Sequence, residues 1–243
     1  MTKECIYYTD NQLKEPLFSE VQKQIEKSEL PIVSTSLKTI DFGKNIVVEG
    51  ERGYITMVRQ ILTALENSEA DYVFFCEHDV LYHSSHFYFT PPRDDIFYYN
   101  ENCWRWWIYG DTVFRHDRML SLSCLCCNRK LALANYRLRM AKIEEKGLDK
   151  FMSREPEQAR IWGYEPGIKK KKRGGVTDDD FETWNSEYPN IDVRHKGTFS
   201  SPKFSLKHFS HSPKWWKEIN LNQIKGWNHE ELLRIKSAYS KSQ

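Results

Sequence analysis

The sequence has no stretch approaching the roughly 20 apolar residues that a membrane-spanning helix requires, so no span is expected. It has no excess of one charge either. Against 36 Lys and Arg stand 34 Asp and Glu, a net charge of +2. Such a chain offers no overall argument for a polyanionic partner, which must rest on a local patch instead. The N-terminus, Met1-Thr2-Lys3-Glu4-Cys5, runs straight into a short apolar stretch closed by Asp10 and Asn11, without the apolar region and small-residue cleavage site of a secretory signal. Cysteine is sparse, 6 residues in 243, too few for a disulfide framework. The thiols are expected to be reduced and the protein cytoplasmic, of bacterial or viral origin. Cys124-Leu125-Cys126-Cys127 lacks the separated pairs or Cys/His set of a structural zinc site and reads as buried thiols. No repeat and no linker is evident, so one domain over 1–243 is expected.

Aromatic residues are plentiful at 14% of the chain, which gives ample apolar area for a core and excludes a disordered chain. The first half alternates strand and helix signals. Cys5 to Thr9 is a short β-prone run ending in turn formers. Leu17, Val21 and Ile25 share a helix face. Ile32 to Leu37 and Ile46 to Val48 read as strands, and Val58, Ile61, Leu62 and Leu65 as a second helix. Tyr72-Val73-Phe74-Phe75-Cys76 is continuously apolar, as in a parallel strand covered on both faces. Ile96 to Tyr99 is strand-like, and Arg129 to Lys146 is a third helix closed by Gly147. Gly163 to Gly175 reads as a loop carrying the basic run Lys169 to Arg173, a solvated segment able to act as a lid or to meet phosphate. Asn228, with Glu231 three residues on, caps a last helix. This alternation predicts an α/β fold, a mainly parallel sheet flanked by helices, with ligands at the carboxyl ends of the strands. That rule points to Thr9-Asp10-Asn11 and to Glu77-His78-Asp79.

Glu77 and Asp79 bring two carboxylates to one rim of the sheet. Carboxylate oxygens suit hard divalent cations, Mn²⁺ or Mg²⁺, which can neutralise a diphosphate leaving group. Taken alone, an acid-x-acid turn is also an ordinary solvated turn. The order of elements, ending in an apolar strand and an acidic turn, resembles the nucleotide-binding half of GT-A glycosyltransferases. The resemblance covers residues 3–82 well and 160–215 loosely. It implies a Rossmann-like GT-A fold, with a nucleotide-binding half over about 1–90, an acceptor half over about 91–215 and a helical segment over about 216–243. It implies a nucleotide-sugar donor, a uridine diphosphate sugar in particular, with Thr9, Asp10, Asn11 and Arg52 near the nucleoside. Glu77 would lie near the ribose or sugar, and Asp79 on the metal. Arg59 also matches a basic position near the donor, although an exposed helix Arg is commonplace.

His208-Phe209-Ser210-His211-Ser212-Pro213-Lys214-Trp215 resembles the His-x-x-Gly-x-x-Lys-Pro-Trp element of retaining members, without its Gly and with Lys and Pro reversed. The likeness makes His208 a metal ligand and Lys214 a diphosphate contact, with His211 and His195 as alternatives. An inverting enzyme also needs a base, for which Glu165 in its Gly/Pro-bounded aromatic loop is the first candidate and Asp179, within Asp178 to Asp180, the next. His83 and His86 suit zinc by spacing but lack a complete ligand set. The acceptor is expected to be a glycan or a hydroxymethylated pyrimidine in DNA, since aromatic residues serve sugars and flipped bases alike. The competing function class is a metal-dependent phosphohydrolase or nuclease using Glu77, Asp79 and nearby His.

Overall fold

A computed structural model describes residues 1–117, 119–146, 165–172, 175–178, 180–198, 203–209 and 213–241. Strand and helix alternate through the first half. They are β1 (Lys3–Thr9), α1 (Leu17–Glu26), β2 (Ile32–Ser36), β3 (Lys44–Val47), α2 (Tyr54–Asn67) and β4 (Tyr72–Glu77). There follow β5 (Val80–Leu81), β6 (Phe97–Asn100), β7 (Cys103–Trp107), β8 (Thr112–His116) and β9 (Leu125–Asn128), then α3 (Arg129–Lys146). The last elements are β10 (Ile168–Lys172), β11 (Gly175–Asp178), β12 (Phe181–Trp184), β13 (Asn190–Arg194), β14 (Trp216–Asn220) and α4 (His229–Lys241).

Seven strands form one mixed, mainly parallel sheet in the order β12-β6-β9-β4-β1-β2-β3. β9 runs antiparallel to both β4 and β6, while β3, β2, β1 and β4 are mutually parallel. The apolar run of β4 is explained by its two buried faces. Val73 and Phe75 pack with residues of α2 and α3, whereas Phe74 and Cys76 pack in the core that contains residues of α1 and α4. This is the α/β layering that the alternation predicts.

A second, five-stranded sheet, β14-β8-β7-β13-β5, shares the α1 side of the molecule. It was not foreseen as a sheet, although its Trp104 and Trp106 are buried core residues. The Glu77-His78-Asp79 turn carries the chain from one sheet to the other. β4 ends at Glu77, β5 begins at Val80, and the Val193 amide donates to the Asp79 carbonyl at 2.8 Å. The expected loop over 163–175 is a correction. Where it is described, β10 and β11 form an antiparallel hairpin, so the basic run lies largely on a strand. Four successive lysines carry no apolar alternation, which is why the strand has no sequence signal.

All six cysteines are free and buried, and among the described residues no helix is long and apolar enough to cross a membrane. The capping expectation is met, with Asn228 Oδ1 accepting from the Glu230 and Glu231 amides at 2.9 and 3.3 Å.

Phe74 is fully buried, with edge contacts to His86 and Phe87 at 5.3 Å. Phe74→Ala should cost about 3–5 kcal/mol. Urea unfolding followed by circular dichroism will read this as a lowered midpoint with the folded signal retained.

Candidate active site

The carboxyl ends of β1 and β4 lie side by side, Tyr8 opposite Glu77 in the register. A cavity of about 480 Å³ opens there, within the roughly 300–1,000 Å³ typical of small-molecule sites. Thr9, Asp10, Arg52, Glu77, His78, Asp79 and Glu165 all line it. These residues span 156 positions of sequence from Thr9 to Glu165, and the topology gathers them at one rim.

Each side chain is held for an identifiable reason. The Thr9 hydroxyl accepts from the Asn11 amide at 3.0 Å, and its carbonyl accepts from Gln60 Nε2 at 2.7 Å. The Asp10 carboxylate accepts from the Gln12 amide at 2.9 Å and from Arg52 Nε. Arg52 Nη2 also donates to the Gly197 carbonyl at 2.6 Å, tying the end of β1 to the loop after β13. Tyr8 donates to Glu77 Oε1 at 2.9 Å, and the Glu77 amide donates to the Tyr82 hydroxyl at 2.8 Å. His78 Nδ1 stands 3.8 Å from Asp10 Oδ1.

The electrostatics concentrate on the acidic turn. Burial, followed by the charge of Asp79, raises the Glu77 carboxyl above its ordinary range. Burial also raises Asp79, with His78 opposing and Asp192 adding to the shift. Asp192, on β13, accepts from Arg105 Nε at 3.4 Å and from Arg194. Burial works against the Arg194 charge, but Asp192, Asp79 and Glu77 together raise its proton affinity. When ionised, these three carboxylates outnumber the two guanidiniums.

Two neighbouring carboxylates that resist ionising together form a donor set suited to a hard divalent cation, Mn²⁺ or Mg²⁺. Among the described residues, no three His, Cys, Asp or Glu side chains converge as a metal cluster. The remaining ligands would come from bound phosphate and water, the common arrangement for Mg²⁺.

Several expected residues lie elsewhere. Asn11 does not line the cavity. It holds a left-handed turn at φ 56°, its Oδ1 accepting from the Leu37 and Lys38 amides at 2.8 and 2.9 Å. His208 and Lys214 do not line the cavity either. Their segment packs against the second sheet, where Phe204 stacks on Trp107 at 4.6 Å and Phe209 meets Trp216 at 5.7 Å. His208 instead accepts from the Phe204 amide at 3.4 Å. His195 is buried beside the site, accepting from the Gly197 amide at 3.1 Å, and burial pushes its ring down to about 4. Arg59 donates to the Glu49 carbonyl at 3.3 Å. His86 is buried, bonded to Asn100 at 3.0 Å and pushed down to about 3, while His83 caps a short turn through Ser85. Asp179 and His211 lie outside the described residues.

Other wall residues were missed by sequence reasoning: Arg105, Arg194, Tyr54, Tyr136, Arg139 and the segment Met119 to Leu122. Arg139 had a readable signal. It interrupts the apolar face of α3 between Tyr136 and Met140, is 6% exposed, and donates to the Tyr54 hydroxyl at 3.0 Å. The arginines of β7 and β13 had none, because those strands were not recognised.

No family model and no curated protein matches the sequence. Some solved structures resemble it weakly. A glycosyltransferase involved in glycosylation of the major capsid of PBCV-1 is 10% identical, with 82% of this chain and 94% of that one covered and a TM-score of 0.47. S. aureus TarS 1-349 in complex with UDP is 9% identical, covering 80% and 61%, with a TM-score of 0.44. The apo-form glycosyltransferase GlyE of Streptococcus pneumoniae TIGR4 is 10% identical, covering 68% and 44%, with a TM-score of 0.42. This chain thus spans less than two thirds of the TarS and GlyE chains. Activity has to be argued from the site.

The raised Glu77 carboxyl makes a pH prediction. A carboxyl raised on folding binds more protons in the native state, so its contribution to stability falls as pH rises from the ordinary range of about 4.3 through the folded value. Glu77→Gln keeps an oxygen for Tyr8 and removes the titration. The variant should match the wild type in urea unfolding near pH 4 and exceed it increasingly toward pH 9.

Proposed function

We propose that the chain is a nucleotide-sugar-dependent glycosyltransferase that uses a divalent cation. The observation that carries this reading is the Glu77–Asp79 pair in the wall of a cavity at the carboxyl ends of parallel strands. Such a rim is where open α/β sheets bind ligands. Carboxylates and guanidinium-bearing residues side by side in its wall suit a cation and a phosphate together better than either alone.

On this reading, Asp79 and Glu77 hold Mn²⁺ or Mg²⁺, which when bound supplies charge neutralisation to the departing diphosphate. Thr9, Asp10 and Arg52 lie where a nucleoside would enter, and the donor is a uridine diphosphate sugar. Arg105 and Arg194, which also line the cavity, keep positive charge near the phosphates. Glu165 is the acceptor base. Of the other wall carboxylates, Glu77 and Asp79 serve the cation and Asp10 is bonded to Arg52. The acceptor hydroxyl belongs to a glycan or to a hydroxymethylated pyrimidine in DNA.

The decisive experiment pairs thermal shift with turnover. UDP with Mn²⁺ should stabilise the wild type, and UDP in EDTA should not, because only ligand bound to the native state raises stability. Asp79→Ala should lose both the shift and sugar transfer while keeping its circular dichroism. Full turnover in that variant or in EDTA removes the cation from the reading. Phosphate release from a simple ester without a nucleotide sugar makes the protein a phosphohydrolase instead.

Glu165→Gln separates binding from chemistry. Its kcat should fall by about 10²–10⁴, the usual contribution of a general base, with the donor KM unchanged. An unaltered kcat excludes Glu165 as the base.

A further inference from the structure

A second cleft of about 140 Å³ adjoins the large cavity, lined by Glu101, Arg115, His116, Asp117, Met119 and Trp215. Met119 belongs to the walls of both, so the two spaces meet at this residue. The cleft is well below the roughly 300 Å³ at which pockets for whole cofactors begin, and has room for about one ring of a larger ligand.

Its chemistry is specific. Trp215 is 44% exposed, a large apolar side chain left at the surface of the cleft. It is not loose. Its amide donates to Asp117 Oδ1 at 3.4 Å, and the Arg115 guanidinium lies 5.2 Å from its ring centroid. Arg115 is positioned in turn by Trp104, 5.9 Å away. The Nε of Arg115 and the Nε2 of His116 are buried without hydrogen-bond partners. An exposed aromatic ring, two carboxylates and a guanidinium therefore surround one small space.

This set discriminates between ligands. Carboxylates only accept hydrogen bonds and guanidiniums only donate them, whereas a hydroxyl does both. A polyhydroxylated ring can donate to Glu101 and Asp117, accept from Arg115, and lay its C–H face on the indole. A phosphodiester backbone only accepts, and it would meet two like charges at the cleft.

We propose that this cleft is the acceptor subsite and that the acceptor is a carbohydrate, its terminal sugar ring stacked on Trp215. The inference rests on the transferase reading above and chooses among its acceptors. In the transfer, the acceptor hydroxyl oxygen bonds to the anomeric carbon of the donor sugar. The bond from that carbon to the diphosphate oxygen breaks, and its electron pair leaves with the nucleoside diphosphate. The hydroxyl proton passes to the base.

The test uses the full chain with UDP and Mn²⁺, probed by saturation-transfer NMR. The ligands are methyl glycosides of glucose, galactose and N-acetylglucosamine, and a DNA duplex containing 5-hydroxymethylcytosine. At least one methyl glycoside should bind. Its affinity should fall about tenfold, or 1.4 kcal/mol, in Trp215→Ala and recover in Trp215→Phe. The UDP thermal shift should persist in both variants, which also shows that they are folded. Absence of glycoside binding, or binding indifferent to Trp215→Ala, overturns the proposal. Salt-dependent duplex binding that Trp215→Ala abolishes also overturns it, in favour of a nucleic acid. If UDP fails to bind the wild type, the donor reading falls, while Trp215-dependent glycoside binding would still establish a carbohydrate site.

Discussion

Three carboxylates crowd the point where the chain passes between its two sheets. Glu77 ends β4, Asp79 precedes β5, and Asp192 faces them from β13. Removing charge from water is expensive unless it is paired and hydrogen-bonded. Here Tyr8, Arg105 and Arg194 supply the pairing, each from a different strand. A strand end could be closed with apolar or neutral residues at less cost. Carboxyl groups kept at such a cost, in the wall of a cavity, are the pattern of a site rather than of a core.

The cluster also explains why the sheets meet as they do. The Asp79 carbonyl accepts from Val193, and β5 pairs with β13 immediately afterwards. The acidic turn is thereby pinned from both sheets and cannot swing out as a free loop. On the opposite lip, Arg52 joins Asp10 to the Gly197 carbonyl and closes the same seam. The cavity is framed by secondary structure on most sides, which suits a site that must hold its charges in fixed places.

What could be read from the sequence follows from how strongly each segment's pattern depends on its own residues. β4 is apolar at five successive positions because both its faces are covered, so the strand and the acids after it were visible together. α2 and α3 repeat their apolar residues at helical spacing, and α3 was bounded at Arg129 and Lys146 as observed. The second sheet was hidden. β5 has two residues, β14 is mostly polar, and β7 is a tryptophan run interrupted by Arg105 with no β-branched residue. With that sheet went Arg105 and Arg194, two of the three groups that pair with this carboxylate cluster. The His208 to Trp215 likeness pointed to the cavity, but Phe204 and Phe209 pack that segment onto Trp107 and Trp216 instead. A short motif states which residues occur in order, and packing decides which way they face.

The two spaces that meet at Met119 differ in the charge they admit. The larger has Arg52, Arg105, Arg139 and Arg194 in its walls beside its carboxylates. The smaller sets Glu101 and Asp117 against a single Arg115. A diphosphate is therefore accommodated in the first and opposed in the second, while a neutral hydroxylated ring meets no such penalty in the second. A transferase must keep donor and acceptor from occupying each other's places, and on the proposed reading the difference in local charge between the two spaces would do this without a moving part. On the proposed reading, the donor space lies at the ends of the parallel strands, with Arg105 and Arg194 of the second sheet in its wall, and the acceptor space lies beside Trp215, just before β14. On this reading the bond to be made lies where the two spaces meet, at Met119.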